Sequence, residues 1–583
     1  MVTLDEDSTL PRTAVAPPTE VTAVTNLLPR VTTMTVAVVI GLALLRGQHG
    51  SKAWDKAMFA VPVALAALLC VYFLVRAPRR STSAIASVLA TCGLLVGIAR
   101  IERQGEFTYV GGIAYRLPQL FWEGFGFEVA VAALLLALAL WFGLERIDSS
   151  RRLQHVLTAA VAIVALVDLP SLIRTVSNFA EPSNNVYMLN EVLAPAAGRV
   201  PDGNFVPQYV TLYGWVLVPF RHLLSAYDLA ALAMIFMSCL GVLSVVLAVT
   251  IAARSMSRPS VWLAAAIVIP LTCVTARHDA TPHFVSSIGS YMQELPIRMF
   301  PTMLYSFLGL EALTRLRSTR GRVWHLPALG VLAGLIVWNS QDFGIVVTIA
   351  YFAVLIVAAP RGRAVRSALS WGGGFAAGLV VYPLLSSLTG APVRLSNFGL
   401  FSRAFANGYA SSPIQVPGPV LVVLPVLLAA TSVGWCLLWR HRSRESTAPS
   451  AQDRTILTLA LVGTWATGGF VYYLDRSYAS GQLQVLLMPC GVCLAALASL
   501  GLEARRQLPR IGERPASLSL RQYLSLLPVA LLVSLGMASM LQGPGPATVA
   551  KGFRNTPADV AFSSSVVPAA TLASAEAYVN SQG

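Results

Sequence analysis

Apolar runs close to 20 residues long recur along almost the whole chain, and no other feature limits its folding as severely. A helix of about 20 apolar residues crosses the ~30 Å hydrocarbon core of a bilayer. Fifteen such runs are expected as spans, near 31–46, 58–75, 83–99, 125–144, 154–175, 228–252, 260–276, 299–315, 326–339, 342–359, 367–389, 418–438, 455–474, 482–502 and 522–541. The expected fold class is therefore all-α integral membrane, with about 15 transmembrane helices. Composition agrees. Charged residues make up 12% of the chain, against about 25% in soluble domains, which must cover their surface for water.

The net charge of +15 raises the question of nucleic acid. The placement of the basic residues answers it. They are almost all Arg, with Lys only at 52, 56 and 551, and they sit in short clusters between apolar runs. Every second loop is Arg-rich: Arg76, Arg79 and Arg80; Arg146, Arg151 and Arg152; Arg254 and Arg258; Arg315 to Arg322; Arg361 to Arg366; Arg440 to Arg454; Arg505 to Arg514. Such alternation is the positive-inside pattern, so these loops are expected to face the cytoplasm. Loops 176–227, 277–298, 340–341, 390–417 and 475–481 then face outward; only loop 47–57, with Lys52 and Lys56, is discordant. The expected location is the plasma membrane, with the N-terminus cytoplasmic and the C-terminus extracytoplasmic.

Four regions follow. Residues 1–30 are polar, rich in Pro and Thr, and read as a disordered cytoplasmic tail. Residues 31–150 form a four-helix membrane extension, 151–541 the transmembrane core with outer loop 176–227, and 542–583 an extracytoplasmic tail. No A-x-A-type site follows the first apolar run, so no cleaved leader is expected. The seven cysteines all fall inside apolar runs, and the CxxC pair Cys490 and Cys493 reads as two small core residues rather than a redox or zinc motif.

The outward segments collect the polar groups. "EPSNNVYMLNEVLAPAAGRVPDGNFVPQY" offers Glu181, Glu191, Arg199 and Asp202. "RHDATPHFVSSIGSYMQELPIRMFP" offers Arg277, His278, Asp279, His283, Glu294 and Arg298. "WNSQDFG" places Asp342 between two apolar runs, and "YYLDRSYASGQ" adds Asp475 and Arg476. Any one of these reads equally well as a membrane-boundary anchor or a satisfied ion pair. Charges at membrane depth are costly and usually face a cavity, so four such segments on one side imply a shared polar cavity. His278, Asp279 and His283 have spacing that a divalent cation could use, with no metal site assigned.

The order of these motifs resembles the GT-C superfamily of polyprenyl-phosphate-sugar glycosyltransferases, in particular actinobacterial envelope arabinofuranosyl and mannosyl transferases. The residues that carry the resemblance are Tyr187, Gly198, Pro201, Phe205, Gln208 and Tyr209 with "LYGW" following, then Ser290 to Pro301, Asn339 to Gly344 and Tyr472 to Ser477. It covers roughly 155–540, leaving extra N-terminal spans before a GT-C-like core.

The resemblance implies a transferase that takes a sugar from a polyprenyl phosphate to a cell-envelope glycan or glycolipid, on the outer face and with inversion. A carboxylate would serve as base, with Arg or a metal on the leaving phosphate. Arg298 and Arg476 are the expected phosphate contacts, with Asp342, Gln208, Tyr209 and His278 in the donor site. The sequence departs from the family pattern at Asn185 and Asn204, where the family carries acids, and an amide cannot act as a base. Asp202 and Glu191 are then the first candidates for the carboxylate, with Asp168 or Asp342 as helix-end alternatives. Two rival functions share the motifs: a flippase of lipid-linked intermediates, and a catalytically impaired GT-C-like scaffold.

Overall fold

The computed structural model describes residues 182–255, 295–317, 325–360, 362–400, 420–442, 450–475 and 481–507, with a few positions in 150–159 and two short strands. The strands, Phe107–Thr108 and Ala114–Tyr115, pair antiparallel. The other described elements are helical. They are α1 (Pro182–Leu193), α2 (Ala226–Ser255), α3 (Phe300–Arg317), α4 (His325–Asn339), α5 (Gln341–Ala358), α6 (Ala364–Leu388), α7 (Val420–Arg440), α8 (Ala451–Asp475) and α9 (Gly481–Gln507).

Eight of the fifteen expected spans coincide with α2 to α9, their ends displaced by a few residues. The remaining seven lie outside the described residues, apart from isolated positions near 155. Among the described residues, three helices are both long and apolar enough to cross a membrane: Ala226–Ser255, Gln341–Ala358 and Ala364–Leu388. Their outer faces match that solvent. Leu369, Leu384 and Leu388 of α6 are 71%, 61% and 84% exposed, a row of leucines that water would penalise and lipid tolerates. α1 lies inside the expected outer loop 176–227, where no helix was expected from the sequence. The segment "PSNNVYMLNEVL" lacks an apolar run, yet folds as a helix because Met188 and Val192 share one buried face.

Packing in an apolar solvent relies on close approach and on hydrogen bonds between helices, and both operate here. α4 and α6 meet through paired small residues, Gly330 and Gly334 against Gly374 and Gly378. A Cβ at Gly374 would overlap the Pro327 carbonyl oxygen, and one at Gly378 that of Val331. Between helices, the Trp371 indole donates to the Tyr305 hydroxyl at 2.9 Å, Trp465 to Ser306 Oγ at 3.0 Å, and Trp435 to Thr464 Oγ1 at 2.7 Å. Thr431 and Thr467 bond each other at 2.9 Å.

These contacts set the helix ends that matter below. α4 ends and α5 begins around Ser340, while α3 continues from a π-helical turn, Leu295–Met299. The ends of α4 and α6, the starts of α3 and α5, and the end of α8 come together at one end of the set.

Candidate functional site

The segment after α1 is built by backbone bonds its own sequence supplies. The turn that follows α1 has Gly198 at φ +78°, where the left-handed region favours glycine, and Arg199 N donates back to Ala194 O at 2.9 Å. The next turn is drawn around one carbonyl. Val200 O accepts from the amides of Gly203 and Asn204 at 3.0 and 3.1 Å, and Asn204 Oδ1 accepts from Val200 N at 2.7 Å. Asn204 therefore works as a turn clasp, which is chemistry an amide does well.

Asp202 sits at φ +59° in this turn, a conformation Asp tolerates better than most residues. Its side chain is 1% exposed, and Oδ2 is buried with no hydrogen-bond partner. Burial pushes its carboxyl up to about 7. Its main-chain oxygen accepts from Arg394 N at 2.8 Å and from Asn397 Nδ2 at 3.2 Å. The Tyr382 hydroxyl, near the end of α6, donates to Pro201 O at 2.7 Å. The turn is thus docked on α6 and on residues 391–397, where Gly203 lies too close to the Ala391 carbonyl for any side chain.

Glu191, on the last turn of α1, holds the chain that follows. Its Oε1 accepts the Gln208 amide at 2.7 Å, and its Oε2 accepts those of Tyr209 and Val210 at 2.8 and 3.0 Å. Desolvation raises its carboxyl to about 7; the three amides pull the other way, and the nearby Asp202 charge adds to the rise. With its lone pairs committed to three amides, Glu191 fixes residues 208–210 in place.

Those residues line a polar cleft of about 510 Å³, open solvent at its mouth included. Its walls are Pro207 to Thr211, Ile297 and Arg298, Trp338 to Asp342, and Asn397, Gly399 and Leu400. Arg298 is 5% exposed, at the π-helical turn. Its guanidinium carbon lies 4.3 Å from the centroid of the Tyr472 ring and 5.8 Å from that of Tyr209. Such turns often mark functional positions in helices. Asp342, in the first turn of α5, is exposed. Asn339 Oδ1 accepts the Leu212 amide at 3.0 Å, and the Tyr213 hydroxyl donates to Pro296 O at 2.7 Å, so both walls are tied to the segment between them. Trp338 closes the floor, packed 4.5 Å from Phe398 between ring centroids.

Of the residues singled out from sequence, Gln208, Tyr209, Arg298 and Asp342 line this cleft. Glu191 and Asp202 stand behind its wall. Asn185 falls on α1, and His278 and Arg476 lie outside the described residues, as do Asp279 and His283. Among the described residues no three His, Cys, Asp or Glu side chains gather as a metal site. Sequence reasoning missed Asn397, Tyr382 and Gly399. The only signal was the short polar string "RLSNFG" after an apolar run, which has no periodicity to interpret.

The described residues are mostly helical, with three helices long and apolar enough to cross a membrane and a polar cleft at one end of the set. Comparison with known proteins takes the assignment no further: no family model, no characterised protein and no solved structure matches the chain.

Proposed function

We propose that the chain is a plasma-membrane glycosyltransferase of the GT-C kind. It moves a sugar from a polyprenyl phosphate to a cell-envelope glycan or glycolipid on the outer face. The observation that carries this reading is the pairing, within one polar cleft at the ends of apolar helices, of a buried arginine, Arg298, with an exposed carboxylate, Asp342. Lipid-phosphate chemistry needs both: a cation for the phosphate that leaves and a base for the hydroxyl that attacks.

In the proposed reaction an acceptor hydroxyl oxygen attacks the anomeric carbon, and the bond from that carbon to the phosphate oxygen breaks. Polyprenyl phosphate leaves with the bonding electrons, configuration inverts, and the hydroxyl proton passes to a carboxylate. Asp342 takes the base role in this reading, ahead of Asp202 and Glu191, because it faces the cleft while they are enclosed behind it. Arg298 holds the phosphate, seated against Tyr472, and Arg476, just beyond Tyr472 in sequence, is the second basic candidate. Arabinofuranose and mannose are the first donors to test.

The experiment is transfer of labelled sugar from a polyprenyl-phosphate donor by the full chain in proteoliposomes. Labelled glycan product is the expected outcome. Movement of the donor across the vesicle without product would replace this reading with the flippase, and neither activity would leave the scaffold.

A further inference from the structure

Three uncharged amide side chains line the cleft, and each has one end committed to the protein. Asn397 Nδ2 donates to two carbonyl oxygens, that of Asp202 at 3.2 Å and that of Gly203 at 3.5 Å. Only an N–H₂ group serves two acceptors, so the polar atom left over is the carbonyl Oδ1. Asn339 is held the opposite way. Its Oδ1 accepts the Leu212 amide at 3.0 Å, which leaves Nδ2, a buried donor with no hydrogen-bond partner. Gln208 gives Nε2 to the Tyr209 hydroxyl at 3.0 Å and keeps Oε1. The groups that remain are two acceptors and one donor, all neutral.

Direct contacts tie these amides to one another and to Arg298. Asn339 follows Trp338 and Asn397 precedes Phe398, and those two rings lie 4.5 Å apart between centroids, so the two amides flank one ring contact. Gln208 reaches Arg298 through Tyr209, whose ring centroid is 5.8 Å from the guanidinium carbon. The chemistry of the set is selective. A phosphate or carboxylate offers only acceptors, and two amide carbonyls give it nothing to bind. Hydroxyls donate as well as accept, and neighbouring hydroxyls on a ring answer both kinds of group.

We propose that Gln208, Asn339 and Asn397 form the subsite for the transferred sugar, beside the phosphate held by Arg298, and that they select a neutral sugar with free ring hydroxyls over an acidic one. The inference rests on the glycosyltransferase reading of the cleft and names the residues that set its sugar specificity. Gln208 Oε1 and Asn397 Oδ1 accept from ring hydroxyls, and Asn339 Nδ2 donates to one. A uronic acid would bring its carboxylate against two amide carbonyls and Asp342 of the same cleft, a like-charge juxtaposition that opposes binding. A site built to bond hydroxyls also rejects a ligand without them, because its own polar groups are then left unpaired.

The test is lipid binding by the full chain in neutral detergent, read by native mass spectrometry. The probes are a bare polyprenyl phosphate, the same carrier bearing arabinofuranose or mannose, and the carrier bearing glucuronic acid. One of the neutral glycosyl carriers is expected to bind more tightly than the bare carrier, and the glucuronosyl carrier no more tightly than the bare one. Gln208→Met and Asn397→Ala should each cut that preference about 2- to 12-fold, the range for a lost neutral hydrogen bond. Their affinity for the bare carrier should stay native, which separates loss of the sugar contact from misfolding. Equal binding of bare and neutral glycosyl carriers, or equal weakening of both in the two variants, would overturn the subsite and leave the phosphate reading standing. A glucuronosyl carrier bound as tightly as the neutral one would overturn the selection. Failure to bind any carrier would remove the glycosyltransferase reading and the subsite with it.

Discussion

Glu191 holds the backbone amide of Tyr209 at 2.8 Å, and the Tyr209 ring in turn faces the guanidinium of Arg298 5.8 Å away. One carboxylate at the end of a short helix therefore fixes the wall against which the cleft's buried cation rests. Glu191→Gln replaces one acceptor oxygen with an N–H₂ group that opposes a backbone donor. The expected cost is about 1–3 kcal/mol, the usual penalty for stranding buried polar groups. Hydrogen exchange across 205–214 should accelerate, while α8 stays protected. Unchanged exchange in that peptide would show the clamp to be incidental.

The docked turn should respond to pH. Asp202 and Glu191 have carboxyls near 7 in the folded chain, above their ordinary values of 3.8 and 4.5. The folded state thus binds more protons than the unfolded one between those values and 7, so stability falls as pH rises through that window. The contribution is fully present below about pH 4 and gone above about pH 7. Protection of 187–215 should therefore decrease from pH 5 to pH 8, and Asp202→Asn, which cannot ionise, should reduce the slope to the part that Glu191 contributes. A profile that rises with pH in the native chain contradicts the assignment.

Arg298→Lys keeps the charge but loses the planar group that lies against Tyr472. If the cleft takes a lipid phosphate, donor binding should weaken about 10- to 150-fold in Arg298→Ala, the range for a lost charged hydrogen bond. Arg298→Lys should fall between the native chain and Arg298→Ala. The readout is KM for the donor in the transfer assay; an effect confined to kcat would move Arg298 away from ground-state binding.

Asp342→Asn isolates the base. Turnover should drop about 10²- to 10⁴-fold. Native turnover in Asp342→Asn would return the base role to Asp202.

Gly374→Leu tests the fold without reference to function. Because its Cβ would meet the Pro327 carbonyl, α4 and α6 must separate, at a cost of about 1–3 kcal/mol or more. The thermal midpoint in detergent should fall, and the Tyr382 bond to Pro201 should loosen with it. Retention of the native midpoint would mean that the two helices do not pack this closely.

Much of the helical framework is legible in the residues alone. Runs such as 342–359 and 367–389 are local signals: length and hydropathy suffice to place helices near α5 and α6, because lipid leaves the backbone no partners but its own. The polar strings "WNSQDFG" and "ELPIR" mark Asp342 and Arg298 by the same logic, as charges beside apolar runs. Other features leave no local trace. α1 is too polar for a hydropathy signal and too short for a clear period. Glu191 reads as a base in the sequence, whereas in the fold its carboxylate is spent on amides 17 to 19 positions away. Asn397 joins the cleft only because it reaches back to Asp202, 195 residues earlier. Hydropathy acts residue by residue, so the amino-acid sequence is enough to say where helices run and which of their ends are polar. Which ends meet, and which carboxylate is enclosed or exposed, is settled by the packed chain, because those outcomes depend on contacts between distant segments that share no sequence pattern.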